Sequence, residues 1–160
     1  EGVQTVPAVV GQCLACHGPM GISQNHDWPN IAGQGKAYLL KQLQDFKSGA
    51  RPSPFMAPVV AALNDADFEA AATYFSAQES APTTLKADAP AAAAACMACH
   101  TPAVQGDPSW PHIAGQKQPY LAEQLHAFKS GKRKNAIMAP LVANLSDEDI
   151  AALSKHFAGL

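Results

Sequence analysis

The sequence predicts an all-α protein built from two tandem copies of one small helical domain. An internal repeat spans the chain, apolar residues recur at helical period within each copy, and no segment alternates as a strand does. Trp28-Pro29-Asn30-Ile31-Ala32-Gly33-Gln34 recurs as Trp110-Pro111-His112-Ile113-Ala114-Gly115-Gln116. Between 28–49 and 110–131, 14 of 22 positions are identical, too many for coincidence. Met56-Ala57-Pro58 returns as Met138-Ala139-Pro140, and Cys13-Leu14-Ala15-Cys16-His17 as Cys96-Met97-Ala98-Cys99-His100. The offset slips by one residue between His and Trp, so a single-residue indel lies in that loop. With only two copies and a period of about 82 residues, this is a duplicated domain rather than a solenoid. The expected domains are 1–80 and 81–160, joined by a polar linker at 79–90 that Pro82 and Pro90 stiffen.

Within each copy the elements follow in order. A first helix runs into Cys-x-x-Cys-His. Leu39, Leu40, Leu43 and Phe46 then share one helical face, stopped at Gly49, and Leu121, Leu125 and Phe128 repeat it before Gly131. Met-Ala-Pro reads as a loop, because proline resists a helix. Asn64 and Ser146 are good N-caps for a last helix, and Ser146 with Asp149 resembles a capping box.

Composition removes several function classes. The net charge of −2 gives no basic excess for binding nucleic acid. Apolar residues make up 48% of the chain, but alanine inflates that share, and no run approaches the roughly 20 apolar residues of a membrane span, so the chain reads as soluble. It begins at Glu1 without a leader, as expected of an exported form whose signal peptide has been removed, and equally of a trimmed one.

All four cysteines fall in the two Cys-x-x-Cys-His motifs. At a helix end this spacing sets two thiols along one edge of a flat ring, where they add to haem vinyl groups, and turns the imidazole beneath its centre. Two covalently bound haem c groups are therefore expected, on Cys13, Cys16, Cys96 and Cys99, with His17 and His100 on the irons. A zinc site of four cysteines would need ligands about 80 residues apart and leaves the histidines unexplained. Thioredoxin-like pairs want a βαβ context, and disulfides across so short a loop are strained. For the opposite face of each iron, Met20 and Met97 lie too near their histidines. Met56 and Met138, 39 and 38 residues beyond them, remain as matched ligands. His26, His112, His126 and His156 do not recur in both copies, which makes bis-histidine ligation the weaker alternative. Met/His coordination raises the reduction potential and leaves no open position for a substrate.

With these residues in view, the chain resembles the dihaem class I cytochromes of the cytochrome c4 family. It is also similar to the dihaem subunit of flavocytochrome c sulfide dehydrogenases. The resemblance rests on both Cys-x-x-Cys-His motifs, the Pro-x-Ile-Ala-Gly-Gln segments, the Tyr-Leu…Gln-Leu…Phe-Lys-Ser-Gly helices and the Met-Ala-Pro segments. It implies two tandem class I cytochrome c domains packed with approximate twofold symmetry. It further implies that the carbonyls of Pro29 and Pro111 hold the axial histidines and that Ile31 and Ile113 pack on the haem faces. Arg51 and Arg133, matched between copies, are candidates to meet haem propionates, with solvated surface as the plain alternative. For Trp28, Trp110, Tyr38 and Tyr120, propionate bonding and ordinary packing both stay open.

The expected activity is electron transfer rather than catalysis, between a donor and a terminal oxidase or reductase that is itself membrane-associated in one version. The carrier is a monomer or weak homodimer in the periplasm, where the resemblance puts covalent haem attachment. The alternative is an electron-accepting subunit of an oxidoreductase. A third reading, an enzyme with an open or labile haem site, is disfavoured by the matched methionines. Residues 1–80 carry four basic and seven acidic side chains against seven and six in 81–160, so Lys129, Lys132, Arg133 and Lys134 become a candidate patch for steering an acidic partner.

Overall fold

The computed structural model describes residues 5–84, 86–100 and 110–160, and these contain helices and no strand. The one-residue slip of the repeat falls within 101–109 in the second copy, outside the described residues.

In the first copy a 3-10 turn, Ala8–Gln12, leads into a short helix α1 (Leu14–His17), followed by α2 (Lys36–Ser48), α3 (Met56–Val60) and α4 (Asp65–Ser76). The second copy repeats the series: a 3-10 turn Ala91–Ala93, α5 (Ala94–His100), α6 (Gln118–Ser130), α7 (Met138–Val142) and α8 (Asp147–Ala158). Both long pairs, α2 on α4 and α6 on α8, form the backbone of their copies. The expected stops are present: Gly49 and Gly131 end α2 and α6 at φ of 85° and 79°, a conformation that costs a side-chain-bearing residue about 1 kcal/mol or more.

Asn64 and Ser146 each cap their helix in a complete capping box, with Asp67 and Asp149 bonding back to the cap's own backbone. The Met-Ala-Pro segments differ from expectation, because they are single helical turns rather than loops. Pro58 and Pro140 are tolerated there because they stand in the first turn, where a backbone N–H has no intrahelical acceptor to lose.

Each copy buries its own apolar cluster. The first gathers Val9, Val10, Leu39, Val60, Leu63, Phe68, Ala71, Ala72, Tyr74 and Phe75, and the second Ala93, Leu121, Leu153, Phe157 and Leu160. Ala92 and Ala93 stand in the second copy where the first has the bulkier Val9 and Val10. In both, the Ile-Ala-Gly-Gln turn is tied to the end of the last helix: Gly33 N–H donates to Phe75 O (2.9 Å) and Gly115 N–H to Phe157 O (2.8 Å). At the junction of the copies, Thr84 N–H donates to the carbonyl of the C-terminal Leu160 at 2.7 Å.

Candidate haem sites and the interface between them

His17 and His100 are the last residues of α1 and α5, so each helix delivers its imidazole at its C-terminal end. His17 is 8% exposed, and its Nδ1 lies 2.8 Å from the Pro29 carbonyl; His100 has the same bond to Pro111 O, also 2.8 Å. A carbonyl only accepts, so Nδ1 is the protonated nitrogen and Nε2 is left able to coordinate a metal. Burial, only partly offset by the Pro29 bond, holds the His17 pKa below its ordinary value, and His100 is lowered by burial in the same way. Both rings are thus neutral, as a metal-binding imidazole must be.

The first loop is further fixed by Ser23. Its hydroxyl donates to Cys16 O (3.1 Å) and its N–H to Asn30 Oδ1 (2.8 Å), which ties the motif to the segment carrying Pro29.

The four cysteines are half-buried thiols not joined by disulfides. Burial, with Cys16 adding to it, pushes the Cys13 thiol up to about 11, and burial raises Cys96 too. These are not the low-pKa thiolates of a thiol–disulfide exchanger. Nor do any three His, Cys, Asp or Glu side chains among the described residues converge as a metal cluster, which leaves the zinc reading without a geometry.

The residues do fit haem. Cys13, Ile31, Leu40, Leu43, Phe46 and Met56 form a half-buried apolar margin on the first core, and Cys96, Ile113 and Leu125 sit in the same relation to the second. Met138 is half-buried like Met56, whereas the residues just before them, Phe55 and Ile137, are exposed by 69% and 58%. Met20 is also exposed. A large flat apolar group bound beside thiols, imidazole and thioether suits such a margin.

Arg51 and Arg133 have a further role that the repeat alone did not disclose: they bridge the copies. Arg51 donates to Gln42 in its own copy (2.8 Å) and to Tyr120 Oη (2.9 Å) and Gln124 (3.0 Å) in the other. Arg133 mirrors this with Gln124 (2.8 Å), Tyr38 Oη (3.0 Å) and Gln42 (3.0 Å). Each guanidinium also stacks over a phenylalanine of its own copy, Phe46 or Phe128. All of these partners are neutral, and among the described residues neither guanidinium meets a carboxylate. Arg51 is buried and Arg133 half-buried, and a haem propionate would supply the anion that a cation withdrawn from water calls for.

A second mirrored set lies alongside. Gln116 accepts from Asn30 N–H (2.8 Å) and donates to Asn30 O (2.9 Å), while Gln34 accepts from His112 N–H (2.9 Å) and donates to His112 O (2.8 Å). Sequence reasoning passed over these glutamines, although both were in plain view as identical repeat positions.

Of the basic stretch, Arg133 turns into the interface, whereas Lys129, which donates to Leu145 O, stays exposed along with Lys132 and Lys134. His126 stands near the exposed Asp147 and His156 packs edge-on to Phe157; neither takes a matched position.

Residues 87–160 match the family model for cytochrome c. Over 92% of its length the chain is 38% identical to a cytochrome c4 of Pseudomonas aeruginosa, 83% of which is covered. It is 34% identical to a thiosulfate dehydrogenase electron acceptor of Stutzerimonas stutzeri, over 92% of this chain and 78% of that one. The crystal structure of reduced recombinant cytochrome c4 from Pseudomonas stutzeri superposes with a TM-score of 0.80 at 35% identity, covering 98% of this chain and all of the other.

Proposed function

The chain belongs to the cytochrome c4 family of electron-transfer proteins with covalently bound haem c, and from that premise we propose how its own residues carry the function. Cys13 and Cys16 hold one haem and Cys96 and Cys99 the other, in domains spanning 1–80 and 81–160. His17 with Met56, and His100 with Met138, would hold the two irons. The observation that carries this is the twice-repeated bond from histidine Nδ1 to a proline carbonyl, which fixes tautomer and ring orientation as an axial ligand requires.

When bound, haem would supply one-electron chemistry. The protein's residues do the rest. Ile31 and Ile113 keep water from the ring faces, the methionines favour the reduced state, and Arg51 and Arg133 neutralise propionates at the junction of the domains. The protein works as a freely diffusing periplasmic carrier between a donor and a terminal oxidase or reductase, and no described helix is long and apolar enough to cross a membrane.

The likeness to an electron acceptor for thiosulfate dehydrogenase favours one second reading, a cytochrome dedicated to a single oxidoreductase. Visible spectra of oxidised and reduced protein, with haem quantified in pyridine, test the ligand set. Two covalent haems per chain with a weak far-red sulphur-to-iron band are expected, and loss of that band overturns Met56 and Met138. Copurification with a dehydrogenase, instead of as a monodisperse red protein, would turn the carrier into a subunit.

A further inference from the structure

We propose that each half of the chain tunes the other half's axial histidine through a glutamine gripping the peptide behind it, Gln116 acting on His17 and Gln34 on His100. The inference rests on reading those histidines as iron ligands.

The Pro29–Asn30 peptide has two ends and both are engaged. Its carbonyl accepts from His17 Nδ1 at 2.8 Å, and its N–H donates to Gln116 Oε1 at 2.8 Å. The peptide is trans, so these groups point to opposite sides, one toward the histidine and the other toward the partner domain. The Pro111–His112 peptide repeats the arrangement, between His100 at 2.8 Å and Gln34 Oε1 at 2.9 Å.

Neither glutamine is a loose surface contact. Both are 7% exposed, and each amide nitrogen donates to the next carbonyl along, Asn30 O or His112 O, so that the amide oxygen is held on the peptide N–H. Gln116 Oε1 also accepts Lys117 N–H at 3.0 Å. Because only backbone atoms are gripped, the exchange of Asn30 for His112 leaves the arrangement intact.

Hydrogen bonds in series polarise one another, more so away from water. An acceptor on the N–H makes the peptide carbonyl a stronger acceptor. That carbonyl then draws harder on the Nδ1 proton, and the imidazole becomes a better electron donor to whatever Nε2 binds. A more donating axial ligand favours the oxidised iron and lowers the reduction potential. Two bonds and one peptide therefore connect a side chain of one domain to the haem of the other.

The test uses the holoprotein with both haems bound, carrying Gln116→Leu or Gln34→Leu. Each haem is titrated potentiometrically and assigned to its domain by paramagnetic NMR. Gln116→Leu is expected to raise the potential of the His17 haem and shift the His17 Nδ1 proton resonance, with a smaller change at the His100 haem; Gln34→Leu does the reverse. Gln116→Met and Gln34→Met keep the side-chain length and read the same way should the leucine variants load haem poorly. Tyr120→Phe, which weakens the interface without touching either peptide, is expected to give no crossed pattern. A larger shift on the haem of the substituted domain, equal shifts on both, or none overturns the proposal. Absence of axial-histidine signals from the unsubstituted protein would instead sink the ligand reading, so the two failures are distinguishable.

Discussion

The hydroxyl of Tyr120 accepts a hydrogen bond from Arg51, 2.9 Å away and 69 residues earlier in the chain, and Tyr38 does the same for Arg133 at 3.0 Å. Arg51 is 8% exposed, and removing its guanidinium takes away the donor to the Tyr120 hydroxyl and one of the two donors to Gln42 and to Gln124, each of which keeps its bond from Arg133. Arg51→Met is expected to destabilise the holoprotein by about 1–3 kcal/mol in chemical denaturation. In a double-mutant cycle with Tyr120→Phe the two losses should fall short of adding, and strict additivity would show that the bond contributes nothing.

Much of this molecule could be read from its sequence, and the reasons are physical. Helical period, the stops at Gly49 and Gly131 and the caps at Asn64 and Ser146 are local effects, so nearby residues disclose them. Cys-x-x-Cys-His was legible because its chemistry is fixed by spacing within five residues. The short helices at Met56 and Met138 were missed because proline was read as a helix breaker when it stands in a first turn. The interface was missed for a different reason. Arg51, Tyr120 and Gln124 are brought together only by the packing of one copy on the other, and nothing in their own neighbourhoods announces it.

Glycine 33 offers a sharper contrast between the copies. Gly33 and Gly115 both adopt positive φ, 70° and 72°, but a Cβ on Gly33 would lie 2.8 Å from Ser80 Cβ and 2.9 Å from Ser80 N, whereas one on Gly115 would meet nothing closer than 3.5 Å. Gly115→Ala should therefore cost only the backbone strain, about 1–2 kcal/mol. Gly33→Ala should cost distinctly more, and equal melting temperatures for the two variants would contradict the crowding argument.

Acid should weaken the last helix before it touches the core. Bonds from Ser146 hold the Asp149 carboxyl below its usual range. A depressed carboxylate stabilises the fold above its unfolded-state pKa and loses that contribution as pH falls through the folded value. The gap in melting temperature between the protein and Asp149→Ala should be widest near neutrality and close as the solution is acidified below the ordinary carboxylate range. A gap that stays constant with pH would mean the carboxylate's charge is irrelevant to the cap.

Removing one thioether should be felt at one haem. Met56→Ala and Met138→Ala are each expected to remove about half of the far-red sulphur-to-iron absorbance and lower the potential of one haem, since methionine raises it. A variant that keeps the whole band would exclude its methionine as a ligand.

Every hydrogen bond that crosses from one copy to the other through Gln34, Tyr38, Gln42, Arg51 and their counterparts has a mirrored twin, which is the signature of an isologous contact between identical subunits. In a homodimer each substitution is made twice, and neither side can depart from the other. Fusion into one chain lifts that constraint while the tether keeps the local concentration of each half high for the other. The exchange of Asn30 for His112, one of them at each end of the same clasp, is what such freedom permits: two sites inherited alike and altered one at a time.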